Sequence, residues 1–378
     1  MAQNSTELRR QKYFSLSSQL AHLDNTQLRE LFDHSESNES STGWGSSHII
    51  DFGKSKVFVK RIPVTNLEYD NLFSTKNLYS LPTFCNYGIG PVASTGFGIF
   101  RELVTHIKTT QWVLDGEIAT IPLMYHYRIM PFFGQRLAVD MDRHKAYVES
   151  WGNNVNIGNY ALDRAIANYE LVLFLEYIPH ILATWLHENP NTLEQSLNEI
   201  RATIDFLRMK GIIHFDAHFH NILTDGNRIY LTDFGLVLDK NFALTKDEED
   251  FFEQNTFYDY GEVLRNLRHL MRWSYDRCSE IDKRRIVEKY DIKPGLQPHE
   301  LVSILLDNIE LIQADGDMQL DEFYVASIVK YRSIIMLMHK FFAEMWGNQQ
   351  KDTKLPHVEL QRLLKETGFL PNAEVHGS

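Results

Sequence analysis

Residues 214–235 read HFDAHFHNILTDGNRIYLTDFG, and this segment gives the most specific indication of the fold. It opens with the pattern H-x-D-x-x-x-x-N, in which Asp216 and Asn221 lie five positions apart. A turn predicted at 225–227 and a strand predicted at 229–233 then lead to Asp-Phe-Gly at 233–235. The pattern H-x-D alone would be a weak signal, whereas a loop, a turn, a strand and a second Asp in this order form a specific one.

The residue types in this stretch suit phosphoryl transfer. That reaction needs a carboxylate to orient the acceptor hydroxyl and accept its proton, and oxygen ligands to hold magnesium against the triphosphate. Asp216 fits the first role. Asn221 and Asp233 fit the second, because magnesium prefers hard oxygen ligands and a neutral amide limits the negative charge at the site.

The two motifs resemble those of the protein-kinase-like superfamily, whose catalytic loop reads H-x-D-x-x-x-x-N and is followed by D-F-G. The resemblance covers roughly residues 40–270. It implies an ATP- and Mg²⁺-dependent kinase with an α+β, two-lobed fold, in which a small β-rich N-lobe precedes a mainly helical C-lobe. It also implies that His214 packs and hydrogen-bonds behind the loop, and it places His214 and His218 with Asp216 among the catalytic residues.

The N-terminal half contains further matches to this family. Val57-Phe-Val-Lys60 resembles the V-A-I-K strand, whose lysine contacts the phosphates of the nucleotide. Gly43 and Gly45 resemble the first two glycines of the G-x-G-x-x-G loop, but His48 stands where the third glycine is expected. An ordinary Ser/Gly turn is the alternative interpretation of this segment.

Two further nucleotide contacts are implied by the resemblance. Glu176-Tyr-Ile178 looks like the hinge between the lobes, where backbone groups would hydrogen-bond the adenine edge. Glu102 is the first choice for the carboxylate that pairs with Lys60, and Glu68 is the competitor. Because the helical period puts Glu102 away from the apolar stripe of its predicted helix, a solvated glutamate is an alternative.

The apolar stripe of that helix consists of residues at the i, i+3, i+4 and i+7 positions: Phe100, Leu103, Val104 and Ile107. Strands are predicted at 121–130 and 170–178, and a long helix at 192–209 that ends at Gly211. We therefore expect a helical N-terminal extension at 1–38, an N-lobe with insertions at 39–178, and a helical C-lobe at 179–378.

Composition restricts the function classes. The chain has 378 residues, which is long enough for two lobes, and its net charge of −12 argues against nucleic acid as a partner. It has two cysteines, no apolar signal-peptide core at its N-terminus and no apolar run long enough to cross a bilayer. These features predict a cytoplasmic protein without a membrane partner.

The acceptor is left open by two conflicting features. His218 stands where protein serine/threonine kinases typically have lysine, as in the H-x-D-x-H-x-x-N loops of aminoglycoside phosphotransferases and choline kinases, which favours a small molecule. The D-F-G motif, the glycine loop and the hinge look more like an atypical bacterial-style protein kinase, and we favour a protein Ser/Thr acceptor. A nucleotide-binding pseudokinase is the third hypothesis.

Three smaller features concern the segments around the two motifs. No A-P-E motif follows D-F-G, and Tyr258 lies 25 positions after Asp233, which leaves little room for a long activation segment. Asp259 and Gly261 have two interpretations, an anchor for the catalytic loop or a plain helix cap. A metal cluster formed by the histidines at 214, 218 and 220 is a further alternative.

Overall fold

The computed structural model describes residues 2–33, 36–38, 45–53, 55–88, 96–133 and 139–370, and its architecture is mixed α+β. A small antiparallel sheet lies in the first half of the chain, and the C-terminal part is mainly helical. The predicted α+β fold class is confirmed at this level. Among the described residues, no helix combines the length and apolar character needed to cross a bilayer.

The main sheet consists of five antiparallel strands in the spatial order β1-β2-β3-β5-β4. In β3, Val57 and Val59 are fully buried while Phe58 and Lys60 are only half-buried, which is the alternation expected of a strand. Lys60 faces Ser47 on one neighbouring strand and Leu173 on the other, so it lies inside the sheet. The strands are β1 (Glu36–Asn38), β2 (Ser46–Phe52), β3 (Ser55–Val64), β4 (Met124–Pro131) and β5 (Tyr169–Glu176).

Helices cover this sheet on several sides. α1 packs on β4, α2 on β2 and α6 on β3, while α4 contacts both β4 and the turn that follows Asp233. The helices of this part are α1 (Ala2–His22), α2 (Asn25–Asp33), α3 (Asn66–Tyr69), α4 (Ile99–Leu114), α5 (Met141–Ser150) and α6 (Val155–Ala165).

The C-terminal part is built around α10 and α14, which pack along each other. Its helices are α7 (Leu182–Glu188), α8 (Leu193–Met209), α9 (Lys246–Asn255), α10 (Tyr258–Arg277), α11 (Glu280–Lys289), α12 (Pro298–Asp307), α13 (Ile309–Ala314), α14 (Glu322–Gly347) and α15 (His357–Glu366). The predicted helix at 192–209 corresponds to α8, and Gly211 follows it with a φ of +76°. That left-handed conformation suits glycine and ends the helix.

Short strands carry the two motifs. β8 and β9 form a hairpin and β10 pairs with β7, so the Asp216 loop between β7 and β8 lies near the D-F-G turn after β9. The short strands are β6 (His180–Ile181), β7 (Ile212–Ile213), β8 (Ile222–Thr224), β9 (Ile229–Leu231) and β10 (Leu238–Asp239).

Two sequence expectations need correction. The boundary predicted between residues 38 and 39 falls between two paired strands, because β1 already belongs to the sheet. The apolar stripe predicted for α4 is also wrong in part: Ile107 is 41% exposed, whereas Glu102 and His106 are buried. The reason is that α4 is covered from two sides, by the sheet and by the turn after Asp233, so polar residues are enclosed as well.

Candidate active site

Lys60 binds two carboxylates that come from distant parts of the chain. Its Nζ lies 2.7 Å from Glu102 Oε1 on α4 and 2.8 Å from Asp233 Oδ1 after β9. Glu102 is 6% exposed and Asp233 is 42% exposed, so one side of the cluster is closed and the other is open to solvent. The structure thus brings together the lysine, the glutamate and the D-F-G aspartate.

Of the two glutamates considered for Lys60, the structure selects Glu102. Glu68 instead forms a capping box at the start of α3, where its side chain accepts from the backbone N–H of Thr65 at 2.9 Å. It also accepts from the backbone N–H of Ile99 at 3.1 Å. Glu68 therefore joins the beginnings of two helices and makes no contact with the lysine.

Contacts between α4 and the C-terminal part hold Glu102 in place. Arg101, on the same helix, pairs with Glu248 on α9 at 2.7 Å, and both side chains are almost completely buried. Lys108 pairs with Asp239 further along α4. Because these ion pairs lie on either side of Glu102, the position of its carboxylate is coupled to the segment that follows D-F-G.

Asp233 has a backbone conformation that is rare for residues other than glycine. Its φ is +63°, in the left-handed region, and its carboxylate accepts from the backbone N–H of Gly235 at 3.4 Å. Phe234 is fully buried between the rings of His106 and His214, with centroid distances of 5.0 and 5.2 Å. The buried ring anchors the turn, so the carboxylate of Asp233 is directed towards Lys60.

The loop between β7 and β8 presents Asp216 next to Asn221. Asn221 Nδ2 donates to Asp216 Oδ2 at 2.8 Å and to the Asp216 carbonyl at 3.1 Å. His218 Nε2 lies 3.4 Å from Asp216 Oδ1. The backbone N–H of Thr232 donates to the Asn221 carbonyl at 3.0 Å, which connects this loop to the residue before Asp233.

His214 and Asp259 hold the loop in place through hydrogen bonds with its backbone. His214 is fully buried: its Nδ1 accepts from the backbone N–H of Asp216 at 3.2 Å, and its Nε2 lies 3.0 Å from the Thr232 carbonyl. Asp259 accepts from the backbone N–H groups of His214 and Phe215 at 2.7 and 2.8 Å. His214 is thus a positioning residue. Asp259 anchors the loop, which was the first of the two interpretations of this residue.

A metal cluster of the three loop histidines is not formed. Both ring nitrogens of His214 already take part in hydrogen bonds, so neither is left to bind a metal. The rings of His218 and His220 lie edge to face with centroids 5.9 Å apart. Over the described residues, no three His, Cys, Asp or Glu side chains converge as a metal site.

The two aspartates differ in their affinity for protons. Burial raises the pKa of Asp216 to about 8, aided by the negative charges of Asp233 and Glu262. Burial also acts to raise the pKa of Asp233, but the charge and hydrogen bond of Lys60 outweigh it and the result is about 2. Asp216 therefore has the higher affinity for a proton, and Asp233 remains an anion that can bind a cation.

The predicted glycine loop is described only in part. Gly43 lies outside the described residues. Gly45 has a φ of +134°, and a Cβ there would lie 2.2 Å from the Arg61 carbonyl, so glycine is required for the close approach of β2 and β3. His48 lies within β2, where it is 7% exposed and stacks on Phe32.

The predicted hinge residues lie at the end of β5, and the carboxylate of Glu176 is already bound. Arg9 of α1 donates to it from Nη2 at 2.6 Å and from Nε at 3.2 Å, and the backbone N–H of Leu123 donates at 3.1 Å. Arg9 also donates to the carbonyls of Ala119 and Ile121. Ile178 is buried two residues further on.

Sequence reasoning missed two residues of this region. Arg9 lies in a segment of Leu, Gln, Glu and Arg, where nothing distinguishes it from its neighbour Arg10. Gly88 lies against Asp216, and only the glycine-rich composition around it could have drawn attention to that segment.

Comparison of the sequence with protein-family models and with curated proteins returns no match. The geometry of the Lys60, Glu102, Asp216, Asn221 and Asp233 side chains is therefore what any assignment of function must rest on.

Proposed function

We propose that the chain is an ATP- and Mg²⁺-dependent phosphotransferase with the two-lobed arrangement of the protein-kinase-like superfamily. The observation that carries this proposal is the bridge from Lys60 to Glu102 and Asp233 beside the Asp216–Asn221 pair. An isolated lysine or aspartate has many explanations. Lys60 joins a strand, a helix and the D-F-G turn, and a third carboxylate, that of Asp216, lies in the neighbouring loop. This arrangement matches the requirements of phosphoryl transfer.

Each residue has a role in this proposal. Lys60, held by Glu102, binds the phosphates of the nucleotide, while the backbone near Glu176 and Ile178 binds the adenine edge. Asp233 and Asn221 supply oxygen ligands that fit magnesium, because Asn221 donates through its nitrogen to Asp216 and keeps its amide oxygen for the metal. The metal, when bound, neutralises charge on the triphosphate.

Asp216 orients the acceptor hydroxyl and accepts its proton. Its hydrogen bond from Asn221 and its contact with His218 fix the direction of the carboxylate. With a pKa of about 8, most molecules carry a protonated Asp216 at neutral pH before nucleotide and metal bind, and only the deprotonated form can accept the hydroxyl proton. The charge of bound magnesium would lower that pKa.

The acceptor is a hydroxyl group, for which a protein Ser or Thr is the first candidate and a small molecule the second. The test is incubation with γ-labelled ATP, magnesium and cell lysate, followed by separation into protein and small-molecule fractions. We expect label in one fraction with the parent, and at least about 10²-fold less with Asp216→Asn. Asp247→Asn, an exposed aspartate on α9, is the control. ATP binding without label in either fraction would instead support the pseudokinase.

A further inference from the structure

A group of cationic and imidazole side chains lies beside the Asp216 loop. Its members come from four elements: the loop itself, α10, the first turn of α12, and α14. We call it the α10 cation cluster, and it consists of His220, Arg265, Arg268, His269, His299 and His339. Two of its members are arginines and four are histidines, in a chain whose net charge is −12.

The cluster adjoins the candidate catalytic residue. The His220 ring packs against His218, whose Nε2 lies 3.4 Å from Asp216 Oδ1. Arg265 interacts electrostatically with Asp216, and its guanidinium forms two hydrogen bonds with Glu262 at 2.7 and 2.8 Å. The charge of Arg265 is therefore compensated by Glu262, and the cluster reaches from Asp216 across the surface of α10.

Arg268 has no such compensation. It is 6% exposed, and its Nη2 donates only to the His299 carbonyl and to Ser303 Oγ, both at 3.2 Å. Its Nη1 is buried without a hydrogen-bond partner, and no carboxylate among the described residues lies within ion-pair distance. Burial and then the charge of Arg265 lower its pKa to about 10.

Two other enclosed arginines of this protein have carboxylate partners. Arg101 pairs with Glu248, and the half-buried Arg61 pairs with Glu170. Burial of a guanidinium without a carboxylate partner has a desolvation cost that is not offset by an ion pair. An anion from outside the chain would supply the missing partner.

The histidines make the site suitable for an oxyanion. His299 and His339 lie with ring centroids 6.1 Å apart, and His220 and His269 are exposed to solvent. Burial and the charges of Arg268 and Arg265 lower the pKa of His339 to about 4, so this ring is neutral at neutral pH. A neutral imidazole donates one N–H, and a guanidinium donates several in a planar fork, which is the arrangement that phosphate binds best.

We propose that the α10 cation cluster binds a phosphate-class oxyanion carried by the acceptor, with the guanidinium of Arg268 as its main ligand. This rests on the proposed function, and it narrows the acceptor to a hydroxyl compound that already bears a phosphate group. The phosphate would belong either to a small molecule or to a phosphorylated residue of a protein. In both cases the anion binds at Arg268 while the hydroxyl reaches Asp216.

Binding of inorganic phosphate to the full chain tests the site without any need for turnover. We expect calorimetric titration to show binding to the parent and at least tenfold weaker binding to Arg268→Met. Arg272→Met is the matched control, because Arg272 lies one turn further along α10 and pairs with Asp276. Lys60→Met removes the cation of the nucleotide site and should retain phosphate binding.

Ser303→Asp offers a second variant that does not remove the arginine. Ser303 Oγ lies 3.2 Å from Arg268 Nη2, so a carboxylate there would occupy the guanidinium and compete with phosphate. We expect it to raise the melting temperature and to abolish phosphate binding. Phosphate affinity that is lost in Lys60→Met but unchanged in both cluster variants would overturn the proposal, as would a parent that binds no phosphate.

The two sources of the phosphate are distinguished by acceptor assays. A small polyol phosphate and a phosphoserine peptide with a second serine are each compared with their unphosphorylated forms. The source that matters should show a KM at least tenfold lower than its unphosphorylated form, and Arg268→Met should abolish that advantage. Equal KM values for all forms would count against the inference even if transfer occurs. Phosphate binding without transfer to any acceptor would support the anion site and contradict the proposed kinase activity.

Discussion

Gly88 lies directly against Asp216: a Cβ at position 88 would be 2.5 Å from Asp216 Oδ1. The segment that connects β3 to α4 therefore reaches the candidate catalytic carboxylate. Neighbouring residues fix this approach, since Asn86 Nδ2 donates to the Leu236 carbonyl and the Tyr87 hydroxyl donates to Asn255 Oδ1, both at 2.8 Å. The backbone of Gly88 thus limits the space next to the carboxylate of Asp216.

Gly88→Ala should impair transfer while leaving nucleotide binding intact. The added methyl group must displace the carboxylate of Asp216, and a shift of about 1 Å in a catalytic group can cost roughly 10²-fold in rate. We expect kcat to fall about 10- to 100-fold and the ATP-induced rise in melting temperature to stay unchanged. Gly347→Ala is the control, because nothing lies within 4 Å of its Cβ. An unchanged kcat in Gly88→Ala would contradict this role of Gly88.

Asp216→Asn should stabilise the protein in the absence of nucleotide. Because the folded-state pKa of about 8 is above the ordinary value of 3.8, the folded chain binds more protons than the unfolded chain between these values. The free energy of unfolding of the parent therefore falls as the pH rises from about 4 to about 8. The variant lacks this loss, so its advantage should grow with pH and reach about 1 to 3 kcal/mol near pH 8.

Denaturant unfolding of parent and Asp216→Asn at pH 5 and at pH 8 measures this difference. Burial raises the pKa of Asp259 to about 7 and the charge of Asp216 adds to that shift, so the comparison measures Asp216 together with its effect on Asp259. An advantage that is equal at both pH values, or larger at pH 5, would show that Asp216 does not titrate in this range.

Glu102→Gln and Glu68→Gln form a matched pair of buried glutamates with different roles. The first leaves Lys60 with Asp233 alone, so we expect kcat to fall about 10-fold or more with modest loss of stability. The second weakens the capping box of α3 and the contact with Ile99 N–H, which should cost about 1 kcal/mol of stability and spare the rate per folded molecule.

Rates and melting temperatures of both variants check this prediction. The opposite pattern, with turnover lost in Glu68→Gln and kept in Glu102→Gln, would mean that the observed ion pair of Lys60 has no part in the reaction.

Arg9→Met should destabilise the sheet next to the predicted hinge. It would leave the carboxylate of Glu176, which is 8% exposed, without its cationic partner. Loss of one partner of such a pair costs about 2 to 4 kcal/mol, and the double variant Arg9→Met/Glu176→Gln should recover most of it, because no unpaired charge remains. Unfolding free energies of the two single variants and the double variant provide the coupling energy. A coupling energy near zero would show that the pair is not important for stability.

The motifs predicted which residues come together at the site better than they predicted what surrounds those residues. Asp216, Asn221 and Asp233 are close together in the chain, so their spacing is a local property and the sequence shows it. Lys60 needed only the alternation of one strand. The partner of the lysine was harder to predict, because Glu102 comes from a helix whose buried face depends on two packing partners at once.

Other features depend on tertiary contacts that leave no local pattern. Gly45 matches a glycine of the family's glycine loop, and the motif does not show that the close approach of its backbone to Arg61 also requires glycine there. Arg9 and Gly88 acquire their positions only when distant segments meet. The sequence around Arg268 is that of an ordinary helix. That Arg268 is buried without a carboxylate partner follows only from the packing of α12 and α14 against α10.

Helix α1 has a consequence for synthesis of the chain. The carbonyls of Ala119 and Ile121 that bind Arg9 follow it by 110 and 112 residues, and Glu176 follows by 167. Until those residues leave the ribosome, which takes roughly 10 to 30 seconds at ordinary elongation rates, the apolar side chains of Leu16 and Leu20 have no sheet to cover them. α1 is thus made well before the sheet on which it docks, and in the meantime its apolar side chains are open to chaperones.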